Sequence, residues 1–156
     1  PDSCLESVNK VLVDESLPSM FVTVFYGIFD TRNGSFEYCN GGHNPPYLIS
    51  AEGKVRQLDN RGGVFLGALK NLEYESNVVM LQPGETLFLI TDGITEAMNP
   101  GEEMFGEKRT EESLQSHAGE SLNNLVENMI KEVQAFAGAQ EQSDDMTCLT
   151  LRYFGR

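Results

Sequence analysis

The chain has 156 residues, of which 40% are hydrophobic and 22% charged, the balance of one globular domain with a sizeable core. Acidic residues outnumber basic ones 24 to 11, a formal charge of −13, which repels nucleic acid backbones and anionic membrane surfaces. The longest apolar run, residues 21–29, is less than half of the roughly 20 residues that a spanning helix needs. Cys4, Cys39 and Cys148 are odd in number and far apart, so neither a disulfide framework nor a thiolate zinc site is expected, and reduced thiols in the cytoplasm are. The first residues, Pro-Asp-Ser-Cys, do not read as a signal peptide. They suggest an internal cut from a longer chain.

Ser3-x-x-Glu6 reads as a capping box, followed by Leu5, Val8, Val11 and Leu12 at helical spacing; a helix over residues 5–14 is expected, stopped at Leu17-Pro18. Residues 21–29 are β-branched and aromatic, Asn33-Gly34 signals a tight hairpin, and the return strand covers 35–39. The segment 40–46 breaks the pairing. Residues 47–50 and 54–58 form a second hairpin across Glu52-Gly53, and 59–73 are Gly-rich and irregular. Strands over 74–81 and 85–91 are joined by Gln82-Pro83-Gly84. Thr86-Leu-Phe-Leu-Ile-Thr91 is apolar on both faces and is placed in the centre of a sheet. A short helix spans 107–117. A longer one spans 121–137, with Leu122, Leu125, Val126, Met129, Val133 and Phe136 on one stripe. The last strand covers 146–154. Seven antiparallel strands with helices near both ends make an α+β layered protein of one domain, without repeats or linkers.

Two acidic positions stand out. Asp92, in Thr91-Asp92-Gly93, projects from the tip of the most apolar strand, and the following glycine leaves space beside it. Asp144, in Ser143-Asp144-Asp145, opens the last strand. An isolated Thr-Asp-Gly is most often a turn, and paired aspartates are most often a solvated cap. If the two strands are neighbours, however, the carboxylates meet in an all-oxygen site suited to Mg²⁺ or Mn²⁺ and not to zinc.

The order and spacing of Gly27-Ile-Phe-Asp30, Tyr38-Cys-Asn-Gly-Gly-His-Asn-Pro-Pro-Tyr47, Leu66-Gly67, Leu87-Phe-Leu-Ile-Thr-Asp-Gly-Ile-Thr-Glu-Ala97, Phe105-Gly-Glu107 and Ser143-Asp-Asp-Met-Thr147 resemble the SpoIIE and RsbU branch of the PPM, or type 2C, metal-dependent serine/threonine phosphatases. The resemblance covers essentially the whole chain. It implies a sandwich of two antiparallel sheets flanked by helices, with two Mg²⁺ or Mn²⁺ ions at its end. Asp92 falls on the family's metal-binding Asp of the Asp-Gly motif and Asp144 on the Asp of its last motif; both are implied to be metal ligands and so catalytic. Asp145 stands where eukaryotic relatives often carry Asn, which implies a role behind the ligands. The family's upstream Asp-x-Ser-Gly or Asp-Gly motif, whose Asp bridges both ions, has no counterpart here, so the first strands and roughly the N-terminal quarter of a complete domain are expected to be missing.

The implied function is hydrolysis of phosphoserine or phosphothreonine in a phosphorylated anti-sigma-factor antagonist-like protein, by a domain cut from a bacterial signalling protein with an upstream sensor or receiver module. The alternative is a phosphatase-like module that binds its phosphoprotein and does no chemistry. The missing strands would leave an open edge or apolar strip that pairing into a homodimer covers. Other residues carry less weight. His43 is read as a hydrogen-bonded loop residue, Arg61 with Gly62-Gly63 and Lys70 as weak phosphate contacts, Met129 and Phe136 as core, and the acidic run 102–112 as a solvated face.

Overall fold

The computed structural model describes residues 1–15, 20–59 and 63–155; the expected helix stop at Leu17-Pro18, and Arg61 and Gly62, lie outside them. In chain order the elements are α1 (Asp2–Glu15), β1 (Val24–Asp30), β2 (Ser35–Gly41), β3 (Tyr47–Ile49), β4 (Val55–Gln57), β5 (Asn77–Met80), β6 (Thr86–Ile90), α2 (Asp92–Thr95), α3 (Gly106–Ser116), α4 (Leu122–Ala137) and β7 (Cys148–Arg152). All strand pairs are antiparallel, in a three-stranded sheet of order β1-β2-β5 and a four-stranded sheet of order β4-β3-β6-β7. The α+β class is as expected. No described helix is long and apolar enough to cross a membrane. The chain divides into two compact units, residues 1–45 with 59–81 and 155–156, and residues 46–58 with 82–154.

In the first unit the reversal between β1 and β2 takes residues 31–34. Gly34 alone adopts the left-handed conformation, φ 80°, and its N–H donates to Asp30 O at 2.9 Å. Asn33 turns its side chain to cap Ser35 N, and Asp30 receives the Arg32 guanidinium at 2.8–2.9 Å. β1 begins at Val24, later than the expected residue 21. Its partner β2 ends at Gly41, so Val22 exchanges hydrogen bonds with Leu66 instead. The expected capping box does not form: Leu5 N donates to Pro1 O, and Glu6 accepts from Tyr74 N, 68 residues away. α1 is held by Leu5, which packs with Cys39, Leu66 and Tyr74, and by buried Asn9, whose amide bonds Leu69 O and Gly67 N.

The second unit is built on β6, which lies between β3 and β7. Leu87 and Phe88 point to opposite faces and are both buried, as the two-sided apolar run predicts. One face packs against α4, whose Leu125, Met129 and Val133 recur every four residues and are buried with Tyr47, Ile49 and Phe88. The Ser121 hydroxyl caps α4 by accepting from Asn124 N, and Gly138, at φ 61°, ends it, close to the expected limits. Gln82-Pro83-Gly84 does not close a hairpin. β5 pairs with β2 and β6 with β3 and β7, so this turn passes the chain from one sheet to the other, with Gly84 N donating to Tyr153 O. Two apolar runs either side of a turn look like a hairpin because nothing local records which sheet each joins.

At the far end of this unit the α3–α4 connection is fastened by side chains. Arg152 on β7 bonds Thr86 Oγ1, Glu120 O and Ala118 O. His117 meets Glu120 through Nδ1 at 2.8 Å and Glu132 through Nε2 at 2.9 Å, and Asn128 donates to the second oxygen of Glu120. Only the imidazolium can donate to both carboxylates. The hydrogen bonds to Glu120 and then Glu132 hold the His117 pKa above its ordinary 6.5. A raised histidine contributes stability in full below the unfolded pKa and loses it as pH climbs through the folded one. Thermal unfolding should therefore show the melting temperature falling as pH rises above 6.5, and the His117→Gln variant should flatten that slope. An unchanged slope in the variant would show that His117 is not the titrating group.

Candidate metal site

The β6–β7 ladder ends at Ile90 opposite Cys148, and one further bond runs from Thr91 N to Thr147 O at 3.1 Å. Beyond it β6 turns into the four-residue helix α2, so Asp92 opens a helix and is not the tip of the strand. β7 begins only at Cys148, which leaves Ser143-Asp144-Asp145 in the loop before it. Both expected placements shift by a few residues, and the reason is the Thr91 side chain. Its hydroxyl donates to Asp145 O at 2.7 Å and accepts from Thr147 N at 2.9 Å, which holds residues 145–147 against the start of α2. With its hydroxyl so engaged, Thr91 makes no cap bond to α2.

Gly93 completes the junction. A Cβ there would lie 2.5 Å from Asp145 O and 3.0 Å from Asp144 O, so the backbone of 144–145 occupies the space that a side chain would need. The glycine that leaves room beside Asp92 is thus required by the chain bearing Asp144. Two contacts steady the aspartates themselves: Gly93 N donates to Asp92 Oδ1 at 3.0 Å and Asp145 N to Asp144 Oδ1 at 2.7 Å. Gln142 donates to Asp144 O at 2.7 Å. Asp92, Asp144 and Asp145 are all exposed, whereas the α2 residues Gly93 and Ile94 beside them are buried. The two candidate ligands therefore sit on adjoining, anchored segments with their carboxylates in solvent. Oxygen donors of this kind suit a hard divalent ion that keeps several waters. Among the described residues no group of three or more His, Cys, Asp or Glu is arranged to hold a metal. A pocket of about 180 Å³ opens alongside, bordered by Gly93 and Ser143.

The other singled-out residues fall elsewhere. His43 is fastened in its loop, its backbone N–H and C=O both bonded to the Asn40 side chain, as a structural residue should be. Lys70 pairs with Asp14 at 2.8 Å, and so is engaged with α1. Met129 is buried in the core, and Phe136 packs edge-on against Phe105 under the Arg109 guanidinium. Glu102, Glu103, Glu107, Glu111 and Glu112 are exposed, the solvated face expected. All three cysteines are free. Thr91, which the sequence reading passed over, is the residue that joins the two aspartate-bearing segments. Its signal was a hydroxyl closing a run of apolar residues, and that is common enough at strand ends to be read as a turn.

Residues 1–154 match the family of Stage II sporulation protein E (SpoIIE). Protein IcfG of Synechocystis sp. is 30% identical over 133 residues, 85% of this chain and 21% of that protein. Phosphoserine phosphatase RsbU of Bacillus subtilis is 28% identical over 155 residues, 97% of this chain and 45% of that protein. The chain thus spans less than half the length of either. Among solved structures, the SiaA-PP2C domain of Pseudomonas aeruginosa superposes with a TM-score of 0.82 at 22% identity, over 98% of this chain and 60% of that one. The RsbU and RsbW domains of Rv1364c from Mycobacterium tuberculosis give 0.74 at 24%, over 99% and 42%. These likenesses give the fold, that of a PP2C domain.

Replacing Thr91 by valine keeps its shape and removes both hydrogen bonds. The variant should lose about 1–3 kcal/mol in urea unfolding, and amide exchange should quicken first at Thr147. Equal stability would mean that the Thr91 hydroxyl does not carry the junction.

Proposed function

The chain belongs to the Stage II sporulation protein E (SpoIIE) family, and on that premise we propose that it is part of a metal-dependent phosphatase domain acting on phosphoserine or phosphothreonine in a bacterial signalling protein. The observation that carries this reading is the junction of Asp92-Gly93 with Asp144-Asp145. It would be an odd expense of a glycine and a threonine if the aspartates were only solvated turns.

Asp92 and Asp144 would hold Mg²⁺ or Mn²⁺, two ions in the complete site. Bound there, such ions acidify a water for attack on phosphorus and neutralise the phosphate oxygens. Thr91 and Gly93 hold the two carboxylate-bearing segments at one spacing, and the exposure of all three aspartates lets a protein-borne phosphate approach. The Asp145 carbonyl is committed to Thr91, which suits it to supporting the ligands. Covalent catalysis by a cysteine is poorly served: burial pushes the Cys148 thiol up to about 11 and raises that of Cys39, leaving little thiolate at neutral pH.

A catalytically inert, phosphoprotein-binding module is the second reading, and what favours it is that the described residues assemble no third ligating side chain. On the phosphatase reading, the remaining oxygen donor comes from chain outside this segment, as the larger relatives allow. The substrate proposed is a small phosphorylated regulator of the anti-sigma-factor antagonist kind, in the cytoplasm. Supporting it is the company kept by relatives: one is named a phosphoserine phosphatase, and another is solved together with an RsbW domain.

Full-length protein loaded with Mn²⁺ should hydrolyse p-nitrophenyl phosphate and phosphoserine peptides. Asp92→Asn should reduce turnover by orders of magnitude while circular dichroism stays unchanged. Asp145→Asn, which keeps the carbonyl, should weaken metal affinity by roughly 10–100-fold and spare turnover at saturating metal. Near wild-type turnover of Asp92→Asn at saturating Mn²⁺ would remove Asp92 from the ligand set, and an inactive wild type would favour the inert module.

A further inference from the structure

The pocket beside the aspartates has a chemistry of its own. Its border includes Gly93, which follows Asp92, and Ser143, which precedes Asp144. A protein segment that brings a phosphorylated side chain to those aspartates therefore has this pocket within reach of its neighbouring residues. At about 180 Å³ the pocket is smaller than the roughly 300–1,000 Å³ of cofactor and small-molecule sites, and its scale is that of one long side chain. Val133 on α4, Met98 and Met146 furnish apolar walls and Gln134, Gln140, Gln142 and Ser143 polar ones, and methionine walls adapt to a flexible occupant. Among the described residues Glu141 is the one charged residue along the lining, and it is exposed.

Apolar walls interleaved with amides, with one exposed acid among them, match a side chain that lays methylenes on the walls and offers a cation to the oxygen acceptors. The field of the chain, at a formal −13, favours such an occupant and repels an acidic one. We propose that this pocket receives a lysine or arginine side chain of the phosphoprotein substrate, within a few residues of its phosphoserine, with Glu141 pairing the cationic head. The proposal rests on the phosphatase reading and adds a sequence preference to it. Glu141 acts there as a specificity residue. It lies beyond the aspartate junction and takes no part in holding a metal.

The test uses full-length, Mn²⁺-loaded protein and phosphoserine peptides that differ only in carrying Lys or Glu at each position flanking the phosphoserine. p-Nitrophenyl phosphate, which has no flanking residues, is the control. At one flanking position the Lys peptide should be preferred about fivefold or more in kcat/KM, expressed in KM. Glu141→Lys should abolish or invert that preference, and Glu141→Gln should reduce it, while p-nitrophenyl phosphate turnover stays within about twofold of wild type. Equal treatment of Lys and Glu at every position, or a preference untouched by Glu141→Lys, would overturn the assignment. So would a fall in p-nitrophenyl phosphate turnover in the same variant, since Glu141 would then belong to the metal site. Absence of turnover by the wild type would defeat the phosphatase reading instead. Fluorescence anisotropy on the same peptides would still report on the pocket, and equal binding of the Lys and Glu forms would overturn its assignment.

Discussion

One hydroxyl group holds the candidate site together. Thr91 stands where the central strand β6 runs out of partners, and its Oγ1 both donates to Asp145 O and accepts from Thr147 N. A strand end would otherwise leave these backbone groups to water. By taking them over, a side chain replaces one rung of the ladder and redirects the loop that carries Asp144. The glycine at position 93 then allows backbone to rest on backbone. At the opposite end of the same strand Thr86, buried, accepts from Arg152 Nε at 2.7 Å. The β6–β7 pair is thus fastened at both ends by threonine oxygens and held between them by the burial of Leu87, Phe88 and Ile90.

That arrangement divides labour between the two ends of the unit. Arg152 and His117 gather α3, α4 and β7 through charge-assisted hydrogen bonds, which are stronger than neutral ones. At the aspartate end the bonds are to backbone groups and the carboxylates stay in solvent. The charges of Arg152 and His117 are paired within the fold, and those of Asp92, Asp144 and Asp145 are exposed.

Much of this was legible in the sequence, and the particular successes and failures have physical reasons. The α4 limits could be read closely because Ser121 and Gly138 are local signals that act within one turn. The central place of β6 was legible because apolar residues on both faces have no other comfortable location. The capping box failed because Glu6 found a partner at Tyr74, which no local pattern announces. That Gln82-Pro83-Gly84 joins strands of two different sheets was not legible for the same kind of reason, since pairing of β5 with β2 is decided by the whole sheet. The two aspartates were picked out by their motif context. Their adjacency depends on a threonine and a glycine whose roles appear only when residues some 50 positions apart are in contact.

The passage at Gln82-Pro83-Gly84 is one of four places where the chain changes unit, the others lying between residues 45 and 46, 58 and 59, and 154 and 155. The β3–β4 hairpin is made early in the chain, yet β3 finds its neighbour β6 only after the first unit's β5 has been laid down. Neither sheet is a contiguous stretch of sequence. On a ribosome, the four-stranded sheet must wait for β7, while an apolar hairpin stands without its partner. Such non-local pairing is slow to form, and the wait exposes unpaired strand edges to other nascent chains. The order in which the strands leave the ribosome therefore makes this sheet, the one that bears the aspartates, secure only after the three-stranded sheet.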